Sequence, residues 1–199
     1  AFDLERLAGR QLRARPARAG ERIRTLDGED RGLEAGMLVI ADPARPVGLA
    51  GVMGGLETEI GFDTTNVLIE AAQFDAMSVR KTSRALSLFS PSSFRFERPL
   101  DPEITDWASR RCAELILEVG GGALHPGVID AGGSPSQLAP ITLRLAQIER
   151  VLGIRIERGY VHRILTALGL EWLGQTDHSV TVRPPSWRRD LEREIDLIE

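Results

Sequence analysis

The stretch from Gly120 to Pro140, GGGALHPGVIDAGGSPSQLAP, constrains this chain more than any other. Three consecutive glycines end a helix that reaches them, and Pro126, Pro135 and Pro140 keep a regular element from spanning the segment. It reads as a boundary or an irregular connection between two units. The patterns on its two sides differ. Before it, the short apolar runs Leu12–Arg15, Arg22–Leu26, Met37–Ala41, Val47–Met53 and Asn66–Ala72 read as strands, with Asp27-Gly28 as a hairpin turn. Helical spacing follows, short over Ser78–Leu86 and clearer from Pro102 or Glu103. There Ile104, Trp107, Ala108, Cys112, Leu115, Ile116 and Val119 recur at three or four, which puts Cys112 on a buried stripe. Beyond the break, Thr142 is an N-cap for a helix through Leu145, Ile148, Val151 and Leu152, and Gly153 ends it. A second helix runs from Glu157 to Leu168, and Leu170–Leu173 with Ser179–Arg183 outline a hairpin. The terminal DLEREIDLIE is an amphipathic helical pattern with Leu191, Ile195 and Ile198 on one side.

The expected class is therefore α/β, a sheet-rich domain followed by a small domain whose two helices and hairpin resemble a winged helix. Winged helices often meet nucleic acid. Here, however, the second helix offers only Arg158 and Arg163 beside Glu157, so direct reading of DNA is not expected. The formal net charge of −4 gives no general attraction to nucleic acid or to an anionic membrane, although a local basic face is compatible with it. Lys81 is the only lysine. His125, His162 and His178 have no metal-type spacing, and neither GxSxG nor GxxxxGK[ST] occurs. Cys112 is alone, so no intrachain disulfide forms; no signal-peptide pattern or long apolar run is present, and a cytoplasmic chain without a membrane partner is expected. The start at Ala1 and the uncapped end read as those of a segment from a longer protein.

Three features carry chemistry. LAGVMGGLETEIG, Leu49 to Gly61, places Gly51, Gly54 and Gly55 in an apolar run. Either these glycines serve a tight turn or bulge, or bare backbone from Ala50 to Gly55 lets a ring lie against the chain while N–H groups face an oxygen. Glu70 follows the apolar Val67–Ile69, and a carboxylate buried there must be hydrogen-bonded or have a raised pKa; the alternative is a Glu that faces water or pairs with an Arg. Ser90–Arg98, SPSSFRFER, sets hydroxyls before alternating aromatic and charged residues. Arg95, Glu97 and Arg98 form either a supporting charge network or the rim for a polyanion.

The order GVMGG, NVLIEAA, RKTSRALSL, SFRFERPLDP and RPPSWRRDLEREIDLIE resembles the β chain of bacterial phenylalanyl-tRNA synthetases over essentially all 199 residues. The resemblance implies that residues 1–135 are most of a B3/B4-type editing domain, which hydrolyses tyrosine mistakenly attached to phenylalanine tRNA, and that residues 141–199 are a B5-type domain. It implies an editing pocket of Ala50, Gly51, Gly54, Gly55, Glu70, Ser90 and Ser92, with Glu70 recognising the tyrosine hydroxyl and no side chain as general base. N–H groups around Gly51 to Gly55 are one implied source of oxyanion stabilisation. It further implies the α chain, the rest of the β chain in an (αβ)₂ assembly and the tRNA as partners. No cofactor is expected in this segment, and ATP and Mg²⁺ belong to the complete enzyme. The chain departs from the family pattern in having Ser90 and Ser92 where Thr-x-Ala is usual, Ser87 where Gly is usual, and Pro99-Leu100 for Gly-Val. A family His that lines the pocket falls just ahead of Ala1. The alternative function is a tRNA-positioning or subunit-scaffold module that has lost editing. Arg183, Trp187, Arg188 and Arg189 precede a run of carboxylates and read as a structural junction.

Overall fold

The computed structural model describes residues 1–133 and 137–199. The expected domain limit at residue 135 lies outside the described residues. The chain divides into one unit of Ala1–Leu100 with Ile104–Pro126 and a second of Asp101–Glu103 with Gly127–Glu199.

The first unit contains β1 (Phe2–Asp3), β2 (Arg13–Pro16), β3 (Arg22–Arg24), β4 (Asp30–Gly32), β5 (Leu38–Ala41), β6 (Pro46–Leu49), β7 (Met53–Gly54) and β8 (Val67–Leu68). The helices α1 (Ala76–Ala85), α2 (Pro91–Phe96) and α3 (Ile104–Gly120) follow. Its largest sheet runs β2-β5-β6-β7, antiparallel throughout. The apolar runs of β5 and β6 take its centre because both of their faces are covered: Val39, Ala41 and Leu49 join one cluster with Val52 and Val79, while Ile40, Val47 and Ala50 join another with Phe2 and Leu7. β3 and β4 form a separate hairpin, turned at Asp27-Gly28, where Gly28 has φ of 86°. β1 pairs with β8.

A carboxylate closes the β5–β6 connection. Asp42 is 3% exposed and accepts from the backbone N–H groups of Ala44 and Arg45 at 2.8 Å and of Ala8 at 3.0 Å. Burial pushes this carboxyl up, but the three donors outweigh it and hold it below the ordinary range. Asp42→Ala leaves those donors without acceptors, and the expected loss in urea unfolding is about 2–4 kcal/mol. At the end of α1, Ser87 sits at φ of 48°, the left-handed region that favours glycine. Ser87→Gly is expected to raise the stability of this unit by up to about 1 kcal/mol in the same assay.

Three expectations are corrected in this unit. The run Val47–Met53 is a hairpin, with β6 and β7 on either side of a turn. Cys112 is exposed, and no residue of α3 is buried; Trp107 is 63% and Val119 88% exposed, because no other described segment covers the stripe that the spacing marks. The strand expected over Asn66–Ala72 is confined to Val67–Leu68, so Glu70 lies beyond it.

The second unit has β9 (Ile141–Arg144), α4 (Leu145–Leu152), α5 (Arg158–Ala167), β10 (Glu171–Gln175) and β11 (Ser179–Arg183), with the sheet ordered β10-β11-β9. Leu143, Val180 and Val182 are its most enclosed side chains, packed with Ile148, Val161, Leu165 and Leu191. Thr142 is not a cap. Ile141–Arg144 pairs along β11, burying Ile141 and Leu143, so strand pairing overrides the capping signal; α4 starts at Leu145, with Arg144 at the cap position and no side-chain cap bond. The terminal helix is likewise reduced to a short 3₁₀ turn, Glu194–Leu197, in which Ile195 is exposed.

Candidate functional site

Ala50 and Gly51 are the corners of the turn between β6 and β7, which Val52 closes by donating its N–H to the Leu49 carbonyl at 2.9 Å. Gly51 has φ of 70°, the value that the third position of a type II turn requires and that a side chain opposes. Surrounding elements enclose it. A Cβ there would stand 2.8 Å from Val79 of α1 and 3.1 Å from Phe74 and from Phe96 of α2. The Phe74 and Phe96 rings pack at 5.2 Å between centroids.

α2 docks on this turn through two hydroxyls: Ser90 donates to the Val52 carbonyl at 2.5 Å, and Ser92 to the Gly51 carbonyl at 3.0 Å. The helix itself was not read from the sequence, although its signal is there, a Ser followed by Pro91 at the first helical position. Ser90 Oγ accepts from Ser93 N–H at 3.0 Å and Ser93 Oγ from Ser90 N–H at 2.9 Å, a reciprocal cap. Ala50, Gly51, Ser90 and Ser92 thus come together. Ser92→Ala strands the Gly51 carbonyl while Ser90 keeps α2 in place, and a loss of about 1 kcal/mol is expected on unfolding.

Gly54 and Gly55 serve a different contact. Cβ atoms on them would stand 3.3 Å from Leu26 and 2.7 Å from the Val47 carbonyl oxygen, so both let the β3–β4 hairpin and neighbouring backbone approach. The N–H of Gly55 donates to Val47 at 2.8 Å, and that of Val52 is used in the turn. Those two groups are therefore not free to stabilise an oxyanion, which corrects that part of the expectation. A cavity of about 90 Å³ opens against Gly55, but Arg22, Arg24, Arg45, Glu57 and Thr58 line it, and not Glu70, Ser90 or Ser92.

Glu70 is half-buried, and among the described residues no hydrogen bond or ion pair holds its carboxylate. Burial pushes its carboxyl above the ordinary value, with only partial opposition from the chain's amino terminus. Its segment passes beside the turn: Leu68, two residues before it, packs on the cluster that contains Ala50, and Phe74, four after it, packs on Gly51. The supporting network is smaller than expected. Arg98 pairs with Glu97 at 2.9 Å, donates to the Phe94 carbonyl and stands over the Phe94 ring at 4.1 Å, whereas Arg95 is exposed and takes no part. In the second unit Arg183 pairs with Glu171 at 2.6 Å and Arg188 with Asp190 at 2.7 Å. Among the described residues, no group of three or more His, Cys, Asp or Glu could hold a metal ion, and no helix is long and apolar enough to cross a membrane.

The B3/4 domain family model matches residues 1–121, and the tRNA synthetase B5 domain model matches residues 141–199. The chain belongs to the B3/4 domain family. All of this B3/4–B5 chain aligns with phenylalanine–tRNA ligase beta subunits, at 46% identity with that of Moorella thermoacetica, 45% with that of Anaeromyxobacter dehalogenans and 44% with that of Oleidesulfovibrio alaskensis. The alignments take in 100% of this chain and 24%, 25% and 25% of those subunits, so the chain spans about a quarter of the length of its relatives. Within the B3/4 part lie the turn, α2 and Glu70; the paired arginines of the second unit lie within the B5 part.

Proposed function

We propose that this B3/4–B5 chain edits for a bacterial phenylalanine–tRNA ligase beta subunit, with residues 1–135 as most of the domain that hydrolyses tyrosine esterified to phenylalanine tRNA and residues 141–199 as a structural B5 module. The observation that carries the reading is Glu70, a half-buried carboxylate with no hydrogen bond or ion pair among the described residues, in the segment whose Leu68 and Phe74 pack beside the Ala50-Gly51 turn. A half-buried carboxylate without a donor is poised to accept one from a ligand, and a phenolic hydroxyl is the group that separates tyrosine from phenylalanine. A site built on that bond rejects phenylalanine because the acid would stay unpaired. Hydrolysis then requires a water oxygen to attack the ester carbonyl carbon, the carbon–oxygen bond to the ribose to break, and the departing ribose oxygen to take up a proton. No His or Cys belongs to the Ala50–Ser92 constellation, so the chain's contribution is placement of the ester and the water rather than a covalent intermediate.

The α chain, the rest of the β chain in an (αβ)₂ assembly and phenylalanine tRNA are the partners in this reading, in the cytoplasm. ATP and Mg²⁺ serve aminoacylation elsewhere in the complete enzyme in this reading. A second reading, a tRNA-positioning or scaffold module without editing, is favoured by one observation: Val79, Phe74 and Phe96 fill the face of Gly51 on which a ring would lie, and Ser92 occupies its carbonyl. Deacylation of tyrosyl-tRNA(Phe) by the assembled ligase separates the two. Editing predicts rapid release of tyrosine that Glu70→Ala suppresses, and an inert native enzyme leaves only the scaffold.

A further inference from the structure

We infer that the cavity bordered by β3 and the 3₁₀ turn Leu56–Thr58 is a binding site for a phosphate dianion, either the free ion or the terminal group of a small monoester. Its volume is about 90 Å³, and Arg22, Arg24, Arg45, Glu57 and Thr58 line it. Neither Glu70 nor Ser90 nor Ser92 does, so the inference stands apart from the editing reading. Thr58 is the residue that points to a ligand. It is 1% exposed, and its hydroxyl is the one buried side-chain polar atom among the described residues that makes no hydrogen bond. Burial strips such a hydroxyl of water, and protein interiors seldom leave one without a partner. Valine has nearly the same shape and would fill the position without that cost. A threonine that lines a cavity recovers the lost bond when the cavity holds an acceptor.

The other lining residues set the charge of that acceptor. Arg22 and Arg24 leave β3 on the same side, with the buried Ile23 between them, and the β5–β6 connection brings Arg45. Three guanidiniums against the one carboxylate of Glu57 attract an anion, in a chain whose net charge is −4. Asp30 holds Arg22 at 3.1 Å from outside the lining, and Glu57 holds Arg45 at 2.6 Å. Both pairs are exposed, so an incoming anion exchanges for them at little cost. Arg24 is freer. Its Nε donates to the Gly28 carbonyl at 3.1 Å, and among the described residues it has no ion pair. Guanidinium forks match the oxygens of a phosphate, and the Thr58 hydroxyl adds a donor at the inner end. A phosphodiester carries a single charge and continues on both sides. Free phosphate or a monoester carries up to about two charges and leaves at most one substituent to pass the exposed arginines.

The test is isothermal titration calorimetry of the full 199-residue chain with inorganic phosphate, glycerol phosphate and dimethyl phosphate, in chloride buffers of matched ionic strength. A single phosphate per chain is expected to bind with a Kd of about 1 mM or tighter. Dimethyl phosphate, a diester, is expected to bind at least about tenfold more weakly. The tighter of the two dianions identifies the source, free ion or ester. Arg24→Ala is expected to weaken phosphate binding at least about tenfold, and Thr58→Val roughly ten- to hundredfold. Without phosphate, Thr58→Val should melt no lower than the parent, because the hydroxyl it removes has no partner. Arg24 is exposed, so Arg24→Ala keeps the fold and decides the matter should Thr58→Val unfold. A lack of saturable binding leaves water as the content of the cavity and overturns the inference. So does an unchanged affinity in either folded variant, or a diester bound as tightly as phosphate. No ester is hydrolysed in this measurement, so its outcome and that of the deacylation assay are independent.

Discussion

Gly51→Ala is expected to destabilise the first unit by about 2–4 kcal/mol, measured by urea unfolding followed by circular dichroism. Two costs combine. The turn holds Gly51 at φ of 70°, where a Cβ meets the following carbonyl, and the same Cβ would stand 2.8 Å from Val79 and 3.1 Å from Phe74 and Phe96. Moving Val79 or Phe96 does not relieve the clash cheaply, because Val79 is fully buried in the core of the unit and Phe96 belongs to the helix that Ser92 fastens to Gly51. Gly55→Ala should be at least as damaging for a different reason: its Cβ would lie 2.7 Å from a backbone oxygen, that of Val47, and a strand cannot rotate away as a side chain can. Gly120→Ala is the control, since nothing stands within 4 Å of its Cβ position, and it should change stability by less than about 0.5 kcal/mol. A Gly51→Ala protein as stable as the parent would mean that the turn is not packed by α1 and α2.

Glu70→Gln is expected to act in opposite directions on stability and on editing. Burial raises the Glu70 carboxyl above its ordinary value of 4.5, so the folded chain binds that proton more tightly than the unfolded one. Between the ordinary and the raised value, stability falls as pH rises, and the whole penalty is present above the raised value. Glutamine has no charge to desolvate. The variant should therefore be more stable than the parent at pH 7, with the difference fading as pH is lowered toward 4.5 and absent below it. In the deacylation assay the same change replaces a charged acceptor with a neutral one, and the preference for tyrosyl over phenylalanyl ester should drop roughly ten- to hundredfold. A purely structural Glu70 would lose stability on substitution at neutral pH and leave the preference between the two esters intact.

Much of the first unit is legible in its letters, and the failures share a cause. Asp27-Gly28 and Gly153 mark chain reversals because a positive φ is a local steric demand, and both glycines have one. The apolar runs of β5 and β6 are continuous because both faces of those strands are covered. Cys112 misleads: spacing identifies the side of α3 that is able to be buried, but whether anything buries it depends on residues far away in the chain. Thr142 misleads in the same way, since its hydroxyl suits a cap while β11 supplies a strand partner that no local window contains, and the two threonine hydroxyls, Thr142 and Thr181, meet across the pair at 3.1 Å. The role of Asp42 in joining Ala8 to the β5–β6 turn has no sequence signature beyond an Asp before a Pro.

The candidate site divides along the same line. By itself the sequence determined the bends and the presence of one carboxylate at the end of an apolar run, since each follows from a few adjacent residues; the Ser90 cap of α2 is as local, but its signal went unread. Only the tertiary structure decided that Gly51 faces α1 and α2 while Gly54 and Gly55 face the β3–β4 hairpin, that two serines 38 and 41 positions away grip the turn, and that Glu70 is half-buried with no hydrogen bond or ion pair among the described residues. Those outcomes depend on which distant groups arrive to cover a surface or to satisfy a polar atom. Burial is a sum over neighbours in space, and the chain lists only neighbours along itself.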